Sequence, residues 1–269
     1  KIAKNSPFVA DFAQWTSVSL AKFDASGIYA GLSAVYEKDA SDFMSVFSDL
    51  QPTASGISQM IPSYAVSAVT LPMKDAQKYI SAYQAYMDSK QALHLVRNKQ
   101  KKLAEKTGIR PEDFVRRLDV KEVAKADFLV GKGLASVNLI KIGRQDTLVF
   151  VGTDNKSFDT AQPSIHVWPY ASYISSVFGK LFELKDESCF TYMNGWIISG
   201  SLDAVKQYVE GYALEYTLAQ YMADAGQKDL LAHPSVLTAF FTPTAYPEGN
   251  KDFFKAPVLK AVETFCADA

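Results

Sequence analysis

The stretch from Thr191 to Gly211, TYMNGWIISGSLDAVKQYVEG, constrains the fold more than any other part of this sequence. Asn194 and Gly195 separate two runs rich in β-branched and aromatic residues, and this dipeptide tolerates the positive φ angles of a two-residue hairpin turn. Ser201 then stands where an N-cap is expected, before apolar residues at helical spacing. The stretch therefore predicts a β-hairpin that leads directly into an amphipathic helix.

The same order of strand, turn and helix recurs elsewhere in the chain. Residues 27–50, 63–88 and 235–266 each begin with a strand-like run and continue, after a polar cap or turn, with a helical pattern. Alternation of apolar and polar residues predicts half-buried strands, and the spacing i, i+3, i+4, i+7 predicts helices with one buried face. The sequence therefore predicts an α+β fold of mostly antiparallel sheet with helices packed on one face, built from repeated strand-turn-helix units.

A turn-rich segment, TDNKSFDTAQPS at residues 153–164, predicts a boundary between two lobes. Residues 1–153 form the predicted N-terminal α+β lobe, which includes a long helical hairpin near residues 75–118. Residues 154–269 form the predicted C-terminal α+β lobe. A chain of 269 residues is long enough for two such units, because domains commonly have about 100–200 residues.

The composition argues against several classes of protein. Hydrophobic residues make up 48% of the chain and charged residues 21%, which is ordinary for a globular protein with a core. The formal net charge of −1 gives no overall attraction to nucleic acid or anionic lipid. No apolar run approaches the roughly 18 residues that a membrane span requires. Cys189 and Cys266 lie in no CxxC motif and near no histidine, so no metal site is expected.

Residue types that carry catalysis are few and scattered. The three histidines, His94, His166 and His233, lack the spacing of a metal site or of a base beside a nucleophile. The sequence contains no GxSxG, no HExxH and no glycine-rich phosphate loop. An enzyme of unfamiliar type would need His166 or His233 beside a carboxylate across a cleft. We therefore predict no catalytic residues and no cofactor. One acidic cluster could form a paired acid site or a weak Ca²⁺ loop, but it lacks the regular spacing of an EF-hand, so a solvated turn is the preferred interpretation: Glu183, Asp186 and Glu187.

The segment 97–117 has the pattern of a helix-turn-helix motif, with Gly108 in the turn, and it holds eight Lys or Arg residues against three acids. Such a segment can contact phosphates and place its second helix in the major groove. The candidate nucleic-acid contacts are Lys101, Lys102, Arg116 and Arg117. The second helix, however, begins with Glu112 and Asp113 just after a proline, and these acids would repel DNA at the end that reads bases. Two packed helices are therefore the preferred interpretation.

Aromatic residues crowd around Pro169, where a strand-like run passes into a helical one. Trp168, Tyr170 and Tyr173 would stack on a sugar or a peptide if they were exposed at a cleft between the lobes. Most aromatic residues are buried, and the alternative is a cluster that seals the boundary between the lobes. These three residues are the candidate ligand-binding residues of the sequence.

Residues 194–211 and 103–128 also resemble a group of uncharacterised Bacteroidetes envelope proteins. In that group, a hairpin with an aromatic residue at its turn leads into a helix of the pattern Ser–x–x–Ala, and a basic helical hairpin precedes a strand. The resemblance implies export to the periplasm or the cell surface, with a membrane tether or lipid anchor outside residues 1–269. It brings no catalytic residues to this chain.

Together these observations favour a non-catalytic, envelope-associated binding or scaffold protein. Its expected partner is an envelope protein, a peptide or a glycan. The alternative is a cytoplasmic protein that associates with nucleic acid through residues 97–117, although nucleic acid is the less favoured partner. The two hypotheses differ in cell compartment and in the salt dependence of binding.

Overall fold

The computed structural model describes residues 15–24, 27–35, 41–130, 133–144, 164–214, 217–224 and 234–241, together with the single residues 226, 260 and 264. The predicted boundary segment 153–164 lies outside the described residues except for its last residue. The same holds for the helix predicted near the C-terminus except for two of its residues.

Nine strands and six α-helices lie within these described ranges. The strands are β1 (Trp15–Asp24), β2 (Gly27–Val35), β3 (Ser67–Pro72), β4 (Val120–Val130), β5 (Gly133–Ile142), β6 (His166–Val167), β7 (Cys189–Met193), β8 (Trp196–Gly200) and β9 (Thr238–Phe241). The helices are α1 (Ala76–Ser89), α2 (Leu93–Thr107), α3 (Pro111–Leu118), α4 (Tyr173–Phe178), α5 (Leu202–Leu214) and α6 (Leu218–Asp224). Three helices, α1 to α3, occupy the region predicted as a helical hairpin.

Seven of the strands form one antiparallel sheet in the order β6-β7-β8-β5-β4-β3-β9, and β1 pairs with β2 in a separate hairpin. Strand β8 pairs with β5, and β9 pairs with β3. The sheet therefore contains strands from both sides of the predicted boundary. The predicted α+β class is confirmed, whereas two separate lobes are not confirmed. Repeated units are not confirmed either, since the helix predicted after β2 is a short 3₁₀ turn at Phe43–Phe47.

The hairpin predicted from the NG dipeptide is confirmed. Asn194 and Gly195, with φ angles of 51° and 84°, connect β7 to β8. Ser201 follows β8, and its hydroxyl accepts a hydrogen bond from the backbone N–H of Ala204 at 3.2 Å. Helix α5 begins at the next residue, Leu202. Turn and cap thus act as their chemistry predicts.

Helices cover both faces of the sheet, which corrects the prediction of helices on one face. Adjacent residues of β4 belong to different core clusters: Val123 to the first and Ala124 to the second. Because successive residues of a strand point to opposite faces, the two clusters lie on opposite sides of the sheet. The first cluster takes its helical residues from α1, α3 and α4. The second takes its helical residues from α5, including Val205 and Tyr208.

Helix α2 differs from the other helices of the first face, because none of its 15 residues is buried. It lies on the outside of the core layer, where Leu103 packs partly buried against the first cluster and polar contacts join the helix to α4. Lys99 Nζ approaches Ser175 Oγ at 3.3 Å, and Gln100 Nε2 donates to the carbonyl of Ser176 at 3.0 Å. The exposed side of α2 is therefore an outer surface of the described structure.

Candidate functional site

The aromatic segment around Pro169 lies in the core. Trp168, Tyr170 and Tyr173 are only 3%, 7% and 0% exposed. Their ring centroids lie 5.9, 4.6 and 5.3 Å from that of Phe114 on α3. Stacking on a ligand would require these rings to be exposed. They are buried instead, because they pack α3 and α4 onto the sheet. Of the two interpretations of this cluster, the structure supports packing.

The hydroxyl of Tyr173 connects the core to the loop between α2 and α3. It donates to the carbonyl of Ile109 at 2.6 Å, lies 3.3 Å from the carbonyl of Leu103, and contacts the hydroxyl of Thr107. Burial raises the pKa of this phenol, against the opposing effect of the Thr107 hydrogen bond. The hydroxyl therefore remains protonated near neutral pH and acts as a hydrogen-bond donor.

A buried carboxyl, Glu187, lies in a polar cluster between the sheet and the start of α4. Its Oε1 accepts from Ser199 Oγ at 2.7 Å and lies 3.5 Å from Asn138 Nδ2, and its Oε2 accepts from the backbone N–H of Ser172 at 2.6 Å. Glu187 is 7% exposed, which corrects the prediction of a solvated turn at this position. Burial raises the pKa of the Glu187 carboxyl, and its hydrogen bonds oppose that rise.

A second buried carboxyl, Glu122 on β4, is 1% exposed and accepts hydrogen bonds from three groups among the described residues. It accepts from the hydroxyl of Ser55, from the backbone N–H of Gly56 at 2.9 Å and from Thr70 Oγ1 at 2.6 Å. These bonds attach the loop before residue 57 to β3 and β4. Since its four acceptor sites are largely occupied, this carboxylate acts as a structural anchor.

Sequence reasoning missed both carboxyls, although one of them left a signal. In β4, the buried residues Ala124, Ala126 and Phe128 alternate with partly exposed positions, and Glu122 precedes Ala124 at the same two-residue spacing. A carboxylate at a buried position of a strand indicates that hydroxyl or amide partners lie nearby. Glu187 has no comparable local signal, because its partners come from β5, β8 and the start of α4.

The basic segment has the geometry of two packed helices. Gly108 adopts a φ angle of 78° between α2 and α3, as the pattern predicts. The candidate nucleic-acid contacts are all exposed, two on α2 and two on α3: Lys101, Lys102, Arg116 and Arg117. Asp113 accepts from both Arg110 and Arg116 at 2.7 Å, so a carboxylate lies in the first turn of α3, at the end that would read bases.

The described part of the structure brings together no cluster of three or more metal-binding side chains. His94 is exposed on α2, and His166 on β6 packs 5.5 Å from the ring of Phe190, whereas His233 lies outside the described residues. A surface cleft has a volume of about 30 Å³. Its lining consists of Leu50, Gln51, Met73, Lys74, Asp75 and Lys78. This cleft could hold about one water molecule, whereas small-molecule sites usually have about 300–1,000 Å³.

Within the described ranges, no helix combines the length and the hydropathy needed to cross a membrane. Comparison of the chain with protein family models, with curated proteins and with solved structures gave no significant match.

Proposed function

We propose that this chain is a non-catalytic binding or scaffold protein of the cell envelope, located in the periplasm or at the cell surface. Its contact surface is the exposed side of α2 together with the last turn of α3, which we name the basic face. The basic face consists of Arg97, Lys101, Lys102, Lys106, Arg116 and Arg117. Its partner is a protein that presents an acidic surface.

The proposal is carried by helix α2. None of its 15 residues is buried, and it holds most of the Lys and Arg residues of the segment 97–117. Residues 97–117 have a surplus of five positive charges, and because the whole chain has a formal net charge of −1, the rest carries −6. Like charges on neighbouring helical positions destabilise a helix slightly. A partner of opposite charge would offset this cost and associate faster through electrostatic attraction.

The chemistry of the interior supports the same proposal. Two of the described buried polar groups, Glu122 and Glu187, join neighbouring loops and strands of the protein itself. The aromatic residues that would stack on a sugar or a peptide are packed against Phe114. A contact on the outer surface therefore fits the described residues better than a pocket does. The resemblance of residues 194–211 and 103–128 to envelope proteins supports the location.

Nucleic acid is the alternative partner of the basic face, since exposed lysines and arginines also bind phosphates. Asp113 makes an acidic protein surface the better candidate. Its carboxylate forms ion pairs with Arg110 and with Arg116 of the basic face, and it places negative charge at the start of α3.

Charge reversal on α2 tests the proposal. A photo-crosslinking residue at position 98, on the exposed side of α2, should give a discrete cross-linked protein in cells that make this chain. The triple variant Lys101→Glu, Lys102→Glu and Lys106→Glu should reduce that cross-link at least tenfold, because three attractive contacts become repulsive. The control reverses three exposed lysines outside the basic face: Lys78, Lys180 and Lys206. The control should leave the cross-link unchanged.

Two measurements separate the alternatives. Equal loss of the cross-link in both triple variants, with both folded by circular dichroism, would contradict a contact at the basic face. Binding to duplex DNA that weakens steeply with salt and is lost in the α2 variant would support the nucleic-acid alternative instead. Protection of the chain from protease until the cytoplasmic membrane is opened would contradict the envelope location.

A further inference from the structure

Helix α2 consists of two parts that differ in character. Its first turn has the sequence LHLV, with the apolar residues Leu93, Leu95 and Val96, and the basic residues follow. We propose that the partner of the basic face is an acidic amphipathic helix that lies along α2. Its apolar side chain packs against Leu95, and two of its carboxylates pair with Lys102 and Lys106. This inference rests on the proposed function and specifies the surface that the partner presents.

The first observation is an apolar surface on the first turn of α2 that the described core leaves uncovered. Leu95 is 60% exposed. Leu93 and Val96 are half-buried, but they belong to neither described core cluster and are not among the residues packed against either one. Leu103, in the second half of the helix, does pack against the first cluster. A single exposed leucine is ordinary, whereas neighbouring apolar residues outside the core provide a surface that a partner can cover.

The second observation is a pair of exposed ammonium groups without a counter-ion. Neither Lys102 nor Lys106 forms an ion pair or a hydrogen bond with another described residue. The neighbouring Lys101, in contrast, lies 4.0 Å from the carboxylate of Glu105. Lys102 and Lys106 can therefore each accept a carboxylate from a partner without breaking an existing ion pair among the described residues.

The third observation is that Leu95, Lys102 and Lys106 share one line along the surface of α2. Successive residues of a helix turn by about 100° and rise by about 1.5 Å. Positions seven and eleven residues after Leu95 therefore return to within about 20° of its direction. Along the helix axis, Lys102 lies about 10.5 Å and Lys106 about 16.5 Å from Leu95. The apolar contact and the two unpaired cations are thus in line on one exposed side.

A helix matches this line better than an extended strand does. A partner helix alongside α2 repeats the same spacing when it has an apolar residue and two acidic residues seven and eleven positions away from it. A strand places side chains on one face about every 6.7 Å, so its positions miss 10.5 and 16.5 Å by about 3 Å. Amphipathic helices commonly bind through side chains that recur at helical spacing. The positive charge of the two lysines requires that the partner helix be acidic.

The cross-link from position 98 tests this inference, because Asn98 adjoins the line on the exposed side of α2. Leu95→Ala should reduce the cross-linked product about tenfold, because an apolar contact is lost. Leu95→Met keeps a similar volume and should retain most of the product. The matched control is Leu202→Ala on α5, where the leucine is 41% exposed and lies outside the basic face. This control should leave the product unchanged, and circular dichroism should show that all three variants fold.

Mass spectrometry of the cross-linked product identifies the partner surface directly. We expect the cross-linked peptide of the partner to have helical periodicity, with an apolar residue and acidic residues seven and eleven positions before or after it. Both directions are included because a partner helix can run parallel or antiparallel to α2. A cross-linked peptide from an extended segment, or one without acidic residues, would overturn the inference.

The outcomes distinguish this inference from the proposed function. A cross-link that is lost in the triple lysine variant but unchanged in Leu95→Ala would overturn the partner helix and leave the basic face in place. A cross-link that does not respond to the charge of the lysines would contradict the basic face itself. Binding of the intact chain to duplex DNA that is lost in the lysine variant and unchanged in Leu95→Ala, without a cross-linked protein, would contradict both and support nucleic acid, because phosphates require no apolar contact.

Discussion

Replacement of Phe114 by alanine tests most directly whether the aromatic segment belongs to the core. Phe114 is 0% exposed, and its ring lies within 6 Å of the rings of Trp168, Tyr170 and Tyr173. Truncation of a buried phenylalanine costs about 3–5 kcal/mol, which combines lost transfer free energy with the cavity left behind. Each aromatic pair contributes about 0.5–1.5 kcal/mol beyond its buried area, so we expect the upper part of that range.

The assay is urea unfolding followed by circular dichroism and tryptophan fluorescence. A loss of 3–5 kcal/mol would be a large share of the stability of a typical domain, about 5–15 kcal/mol. Phe114→Leu, which keeps more of the volume, should cost less than Phe114→Ala. The control is Leu95→Ala on α2, where the side chain is 60% exposed and the change should stay within about 0.5 kcal/mol.

A cost below about 1 kcal/mol for Phe114→Ala would refute this description of the core. The rings around Phe114 would then be loosely held, and Trp168 and Tyr170 would again be candidates for stacking on a ligand. The outcome therefore decides between the two interpretations of the aromatic segment, independently of any ligand.

Two further substitutions test single contacts. Tyr173→Phe removes the donor to the Ile109 carbonyl and should lower the free energy of unfolding by about 1–3 kcal/mol, measured by urea unfolding; no change would mean that this hydrogen bond does not form in solution. Gly179→Ala places a side chain at a φ angle of 93° and within 3.0 Å of the Tyr83 ring, so it should cost about 1–3 kcal/mol. An Ala variant as stable as the wild type would show that the backbone there is not constrained.

Local features of the fold could be predicted because their causes lie within a few residues of each other. The turn of Asn194 and Gly195 and the cap by Ser201 follow from backbone chemistry at those positions. The buried stripe of α1 follows from its spacing, and Tyr79 and Tyr83 are buried as that spacing indicates. None of these predictions needed knowledge of the rest of the chain.

The order of strands could not be predicted, because it depends on pairing between distant segments. Strand β9 adds to the edge at β3, and β5 joins β8 in the middle of the sheet. Nothing in the individual strands specifies these partners, and a turn-rich segment between them suggested two lobes. That helices cover both faces of the sheet could not be predicted either. The structure shows it in β4 and β5, which bury residues on both sides, including Val123, Ala124, Leu139 and Ile140.

The candidate site illustrates the same limit for side chains. Composition and position made Trp168, Tyr170 and Tyr173 candidates for binding, but burial is set by α3, which lies more than 50 residues earlier in the chain. The exposure of Lys101 and Lys102 follows from the polar character of α2 and could be predicted. The three-element arrangement around Glu187 could not, because its members are separated in sequence and only the sheet order brings them together.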